Sequence, residues 1–320
     1  MAWQVRTPPS ISEYRLGNTG IPWARRLESG RPGPRVMITA LIHGNEPCGA
    51  ETLCFLLRTG FRPVMGEVLL VFANVAAFAR YTPSWPLKAR FVDEDMNRIW
   101  DENLLDGPEQ SVERERARRL RPLLAGLDYL LDLHSMLHEA PPLILAGRHR
   151  KATALAQRLG LPGMLVLDGG HSAGKRLRDY GPFDDADAAP VALLAECGQH
   201  WAEAAAAVAR ETALRFLDGL GLMAADYRAE HLPYESAPGT NCAVLPVVQV
   251  TETVTVESPH FAFTRPFRGL ETIAAAGTVI AHDGERVVAT PYDDCLLIMP
   301  AEKPAPGQTA VRLGRHLGCP

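Results

Sequence analysis

An α/β layer fold followed by a small all-β module is the architecture this sequence predicts. Over the first two thirds, short apolar runs alternate with helical patterns. After Ala225 the texture changes to short β-branched runs separated by turn signals such as Asp283-Gly284. Scale supports both observations, because 320 residues at 47% hydrophobic content can bury a core and build two domains. The expected division is residues 1–228 and 229–320.

Arg35–Ile42 reads as a buried strand, and Pro47 suits the first turn of a helix that Gly49–Leu57 continues. Glu67–Ala73 is the next strand. Asn74–Asn103, with Pro83 and Pro86, is irregular and long enough to suggest a functional loop. Pro108–Leu120 has helical spacing of Glu and Arg, a charge run expected to form a solvated face. Leu127–Leu133 reads as a strand, Ala152–Leu159 as a helix and Gly163–Leu167 as a short strand. Gly169–Ala189 is a second irregular loop, Val191–Ala195 a strand, and Trp201–Leu217 a helix ended by Gly219 and Gly221. Glu230–Thr240 looks like a linker. Beyond it, Val244–Val256, Phe261–Phe263, Thr278–Ala281, Arg286–Ala289 and Cys295–Met299 read as strands.

The composition excludes several classes. A net charge of −4 with 22% charged residues gives no basic field for nucleic acid. No apolar run approaches the roughly 18–20 residues of a membrane span. The start, MAWQVRTPPS, lacks a basic head followed by an apolar stretch, so a cytoplasmic location is expected. The six cysteines form no CxxC pair and read as reduced thiols.

Four segments carry chemistry. In ITALIHGNEPCG, His43 and Glu46 follow a strand tip, where ligands bind in open α/β sheets. Three residues apart on a tight turn loosened by Gly44, they can converge on one cation; an N-capping turn is the other reading. In LDYLLDLHSM, His134 stands at a similar tip, completing two nitrogens and one carboxylate, the ligand set of a catalytic zinc with an open position. Asp132, on the same strand face, either orients a ligand or caps a helix. In LLAECGQHW, Glu196 ends a buried strand and is placed to act as general base, or else is a salt-bridged glutamate. In KARFVDEDMNRIW, Asn97 and Arg98 suit a carboxylate and Arg90 an oxyanion; alternatively these arginines pair with Asp93, Glu94 and Asp95.

Taken together, HGNE, RFVDEDMNRIW, DLHS and ECG resemble, in order and over residues 43–198, the succinylglutamate desuccinylase/aspartoacylase family, relatives of the zinc carboxypeptidases. The resemblance implies a carboxypeptidase-like mixed sheet flanked by helices, with a small C-terminal β domain shaping the active-site mouth. It implies one Zn2+ on His43, Glu46 and His134, Glu196 as base and acid, and Arg90 as polariser of the scissile carbonyl. Asn97 and Arg98 would hold the α-carboxylate of an N-acyl amino acid, and Tyr292 of the TPYDD motif would reach the substrate. Met96 stands for a usual Leu and Trp100 for a usual Phe. Aspartoacylase carries an arginine about ten residues before the catalytic glutamate; here that stretch reads DDADAAP. Arg176 and Arg178 lie further back, and Asp184, Asp185 and Asp187 suit either a cation or an exposed loop. A neutral or cationic substrate side chain is therefore expected at least as much as an acidic one.

The reading is a zinc-dependent deacylase of small N-acyl amino acids, with homo-oligomer formation open. A metallocarboxypeptidase would use the same residues in an open groove. A non-catalytic zinc- or carboxylate-binding protein would have no use for Glu196.

Overall fold

The computed structural model describes residues 5–161, 163–171, 173–232 and 245–317. Eleven strands form one mixed sheet in the order β1-β3-β2-β4-β7-β5-β6-β8-β14-β13-β10. Its parallel centre is β3 (Glu67–Phe72), β2 (Arg35–Ala40), β4 (Tyr129–Met136) and β7 (Val191–Gln199), with β1 (Ala24–Glu28) antiparallel at the edge. The central strands read as unbroken apolar runs because both faces are covered. Val36, Ile38 and Ala40 face a core shared with α1 (Pro47–Arg58), α5 (Arg150–Leu159) and α6 (Glu203–Gly219). Met37, Leu69, Val71 and Leu130 face the opposite core, closed by α4 (Val112–Leu124) and by Met96, Ile99 and Trp100 of the long loop.

β5 (Leu143–Leu145) pairs antiparallel with β7, and β6 (Met164–Leu167) parallel with β5. The sheet then runs on into C-terminal strands: β8 (Val247–Thr255) lies parallel to β6, followed by β14 (Thr309–Leu317), β13 (Cys295–Ile298) and β10 (Glu271–Ile273). A separate three-stranded sheet joins β9 (Phe261–Phe263), β11 (Val279–Asp283) and β12 (Arg286–Ala289). The C-terminal part is therefore all-β, but it extends the main sheet. The expected boundary at 228/229 falls within α7 (Ala225–His231), and most of the expected linker lies outside the described residues.

Several expectations shift. α4 starts at Val112, because Ser111 caps it by accepting from the Arg114 N–H at 3.0 Å; residues 107–111 are irregular and join it to a separate α3 (Glu102–Asp106). The charge run of α4 is not wholly solvated. Glu113 is fully buried and accepts from the backbone N–H groups of Val92 (2.7 Å), Asp93 (3.0 Å) and Glu94 (3.3 Å). That helical carboxylate pins the loop carrying Arg90, Asn97 and Arg98. Inside the loop lie α2 (Val75–Phe78) and 3-10 turns at Pro86–Ala89 and Met96–Arg98. The strands β4 and β7 run past their expected ends, so His134 and Glu196 sit within them as cross-strand neighbours.

Cys48, Cys54, Cys197 and Cys295 are free and buried, as expected of reduced thiols. Among the described residues no helix is long and apolar enough to cross a membrane.

Candidate metal centre and active site

The chain leaves β2 through Leu41, a buried leucine held at φ 62°, in the left-handed region that β-carbons disfavour. This turn throws His43 and Glu46 back across the strand tips. Gly44 serves by its size, since it lies outside the left-handed region: a β-carbon there would meet Phe78 N at 2.4 Å and Ala89 O at 2.5 Å. The turn thus seats directly against the loop that bears Arg90, with Gly44 N–H donating to the Arg90 carbonyl at 3.2 Å. Glu46 occupies the N-cap position of α1 but makes no side-chain capping bond. Its carboxylate turns to the histidines instead.

Glu46 Oε1 lies 2.8 Å from His43 Nδ1, and Oε2 lies 3.0 Å from His134 Nδ1. One candidate ligand atom from each of the three residues falls within 4.8 Å of the others, and all three residues are buried. The far nitrogen of each ring is also held. His43 Nε2 is 2.9 Å from Asp95 Oδ1, and His134 Nε2 is 2.8 Å from Asp132 Oδ2. A ring that donates Nε2–H to a carboxylate presents the lone pair of Nδ1, the arrangement that orients histidine on metal ions. Asp132 is fixed in turn by the Thr39 hydroxyl at 2.6 Å, its register partner on β2. Asp132 thus holds the His134 ring and, among the described residues, caps no helix N-terminus.

Asp95 went unread in this role. Of the three acids of the loop's DED run, Asp93 accepts from Val112 N at 2.8 Å and Glu94 pairs with Arg114 at 2.8 Å. Asp95 alone turns inward, accepting also from Asn97 N–H (2.8 Å) and Arg90 Nη2 (3.1 Å). Its one sequence signal is its position two residues before Asn97.

The electrostatics match this geometry. Burial opposes charge on Glu46, but His43 and His134 outweigh it and hold the carboxyl well below its usual range. Burial likewise opposes charge on Asp95, which His43 and Arg90 hold well below that range. His134 is held well above the usual imidazole value, against burial, by Asp132 and then Glu46. Glu196, paired in register with His134, is raised to about 8, chiefly by burial. Its Oε2 is buried with no hydrogen-bond partner among the described residues. A carboxylate oxygen left open beside three convergent ligands fits a centre that takes a cation and a reacting molecule. If this cluster takes up added Zn2+, replacing Asp95 or Asp132 with asparagine is expected to weaken that binding about 10- to 100-fold, measured by chelator competition.

The residues expected on the substrate side lie around this cluster. Arg90 keeps 36% of its side chain exposed, with Nη1 3.5 Å from Glu46. Buried Asn97 has Nδ2 3.5 Å from His134 Nε2, and its Oδ1 accepts from Leu177 N at 2.9 Å, tying the two irregular loops together. Arg98 is pulled down by burial and by Arg90 and Arg176, and held up by Asp95. Arg176 and Arg178, together with the unforeseen Arg312 of β14, are buried. Asp168 pairs with Arg176 at 2.8 Å and Arg312 at 3.1 Å, and Asp179 pairs with Arg178 at 2.6 Å. Burial lowers Arg178 and Arg312 to about 10.

Tyr292 is engaged within the C-terminal part. Its hydroxyl is 2.6 Å from Thr251 Oγ1, and Arg315 lies 4.2 Å over its ring. Asp184 and Asp185 line a cleft with Trp100, Asp101, Glu102 and Tyr180. Asp187 N–H donates to Asp185 Oδ1 at 2.9 Å.

Fold and site together define an α/β protein with a buried His–Glu–His cluster at the tips of parallel strands, faced by a buried glutamate. A family model described as the succinylglutamate desuccinylase/aspartoacylase catalytic domain matches residues 32–220, and the chain belongs to that family. An N-acyl-aromatic-L-amino acid amidohydrolase (carboxylate-forming) of Rattus norvegicus is 32% identical over 119 residues. That match spans 33% of this chain and 35% of the rat protein, about a third of each. Among solved structures, a succinylglutamate desuccinylase from Vibrio parahaemolyticus superposes with a TM-score of 0.70 at 19% identity, over 92% of this chain and 86% of that one. The ectoine utilization protein EutE (DoeB) of Ruegeria pomeroyi gives 0.61 at 16% identity, over 93% and 92%. At these identities the likeness concerns the fold.

Proposed function

We propose that the protein is a zinc-dependent deacylase of N-acyl amino acids. The observation that carries this reading is the pairing of the His43–Glu46–His134 cluster with a buried, unpartnered Glu196 oxygen. His43, Glu46 and His134 would hold the ion, which when bound supplies Lewis-acid polarisation of the acyl carbonyl and a lowered pKa for water.

Glu196 takes the proton of the attacking water and returns it to the departing amine nitrogen. Arg90, anchored by Asp95 yet partly exposed, keeps donors free for the carbonyl oxygen as that oxygen gains charge. Asn97 and Arg98 receive the α-carboxylate. Ion pairs join the buried Arg176, Arg178 and Arg312 to Asp168 and Asp179, with Asp184 a further charged neighbour of Arg178, and this arginine group next to Arg98 supports an anionic substrate. Of the side chains left open by the sequence, this reading takes the acidic one. The burial of His43, Glu46, His134 and Glu196 favours a small molecule over a peptide lying in an open groove.

The test is metal analysis of the purified protein with a screen of N-acyl amino acids bearing acidic, neutral and basic side chains. Bound zinc and turnover led by acidic substrates are expected. Activity on peptides alone, or on no N-acyl amino acid, would overturn the reading.

A further inference from the structure

Glu113 stands on α4, outside every motif that reads as chemistry, yet its carboxylate joins the two segments between which His43 is held. The side chain is fully buried. Its Oε1 accepts from the Val92 backbone N–H at 2.7 Å and from Asn74 Nδ2 at 2.9 Å. Its Oε2 accepts from the backbone N–H groups of Asp93 at 3.0 Å and Glu94 at 3.3 Å. Successive backbone N–H groups turned to one point form an anion-binding nest, and here the anion belongs to the chain itself.

One side of this clamp leads to the turn that carries His43 and Glu46. Asn74 donates its backbone N–H at 2.8 Å to the carbonyl of Leu41, the residue held in the left-handed region just before that turn. Its Oδ1 caps α2 by accepting from the Ala77 N–H at 3.1 Å, and Gly44 packs against the same short helix. The other side leads to the groups that meet His43. Asp95 follows directly on the clamped Glu94 and holds His43 Nε2 at 2.9 Å and Arg90 Nη2 at 3.1 Å. Arg90 lies two residues before Val92, and its carbonyl takes the Gly44 N–H at 3.2 Å. Both routes therefore end on the His43 turn, one through the Leu41 backbone and one through Asp95. Asp93 and Glu94 are also tied to α4 by their own side chains, at 2.8 Å each. Loss of Glu113 would thus release the spacing of the loop while those ties keep the loop on its helix.

On the deacylase reading above, we propose that Glu113 is a positioning residue whose carboxylate fixes Asp95 and Arg90 against the His43 turn. It would so set both the orientation of the His43 ring and the placement of the Arg90 guanidinium. Glutamine cannot replace it: each Glu113 oxygen meets two N–H donors, so either orientation of an amide turns its NH2 on two donors.

The experiment compares wild type, Glu113→Gln, Glu113→Ala and Asn74→Ala. It reads kcat and KM per zinc-loaded molecule on one N-acyl amino acid, zinc affinity by chelator competition, and melting temperature. Each is measured in sodium formate and in sodium chloride of equal ionic strength. Glu113→Gln is expected to bind zinc more weakly and to lose about 10²-fold in kcat, the cost of misplacing a group by about 1 Å. In Glu113→Ala the same losses are expected, but formate enters the emptied nest and recovers kcat and zinc affinity saturably, as chloride does not. Formate should do nothing for Glu113→Gln, whose side chain fills the space. Asn74→Ala, which removes one of the four donors, should show a smaller loss of the same kind. A merely structural role would lower the melting temperature and leave kcat and zinc affinity of the folded protein unchanged; that result overturns the assignment. So does a Glu113→Ala on which formate has no effect, or an equal effect of formate on both Glu113 variants. Should neither Glu113 variant fold, Asn74→Ala decides, and a wild-type kcat there overturns it. If the wild type turns over no N-acyl amino acid, the deacylase reading falls, and the zinc affinities with and without formate still decide the role of Glu113.

Discussion

Glu196→Gln is expected to lower kcat by about 10²- to 10⁴-fold, the usual contribution of a positioned general acid–base group, while the protein keeps its full complement of zinc. The expectation follows from what distinguishes Glu196 from the other carboxylates around the cluster. Glu46, Asp95 and Asp132 each hold at least one imidazole nitrogen at 2.8–3.0 Å, and the second oxygens of Asp95 and Asp132 meet Arg90 and the Thr39 hydroxyl. Glu196 Oε2 has no partner among the described residues, although the side chain is buried beside His134. A buried carboxyl oxygen without a partner is costly, and at the edge of a cluster of convergent donors it is placed for a reaction to use. Glutamine preserves the volume and a hydrogen-bonding oxygen but cannot take up a proton, so substrate still binds and KM moves little. Rates from steady-state kinetics and zinc by elemental analysis, on the same preparation, check both halves. A variant with wild-type kcat removes Glu196 from the chemistry; one that loses zinc makes it part of the metal site instead.

How much of this was legible in the sequence depends on where each residue stands relative to a strand tip. His43, Glu46, His134 and Glu196 could be read because each follows an apolar run, and a polar group at such a tip faces the ligand side of an open sheet. Asp95 could not, because DED in an arginine-rich loop reads as surface ion pairs; only the buried Glu113 sorts the three acids by pinning Val92, Asp93 and Glu94 to α4. Strand β14 was missed for a similar reason. Arg312 and Gly314 occupy its buried positions, where an alternating pattern demands apolar side chains. Both have tertiary causes: Arg312 answers Asp168 at the end of a distant strand, and a β-carbon at 314 would sit 2.6 Å from Val248 and 2.7 Å from Ile298. Residues answering distant partners, as Arg312 and Gly314 do, are therefore those that local pattern hides.

Removal of the metal tests the centre itself. Treatment with a chelator is expected to abolish deacylation and to lower the melting temperature, with Zn2+ restoring both. The stability term follows from linkage: a ligand bound only by the folded state stabilises it by about 2.7 kcal/mol at a free concentration a hundred times its dissociation constant. The site is suited to produce this, because its three ligands come from the turn after β2 and from β4, and none is solvent-exposed. Stripped of its ion, the cluster keeps Glu46 ionised between the two rings, and His134 holds a proton well above its usual range. Zinc must displace that proton, so binding releases protons and the apparent affinity is expected to rise as pH increases. Calorimetry in buffers of different ionisation enthalpy counts the protons released. His134→Ala, which removes one ligand, should neither bind zinc tightly nor be stabilised by it. Full activity at less than about a tenth of an equivalent of metal would show that the chemistry runs without the ion, and the roles assigned to His43, Glu46 and His134 would fall together.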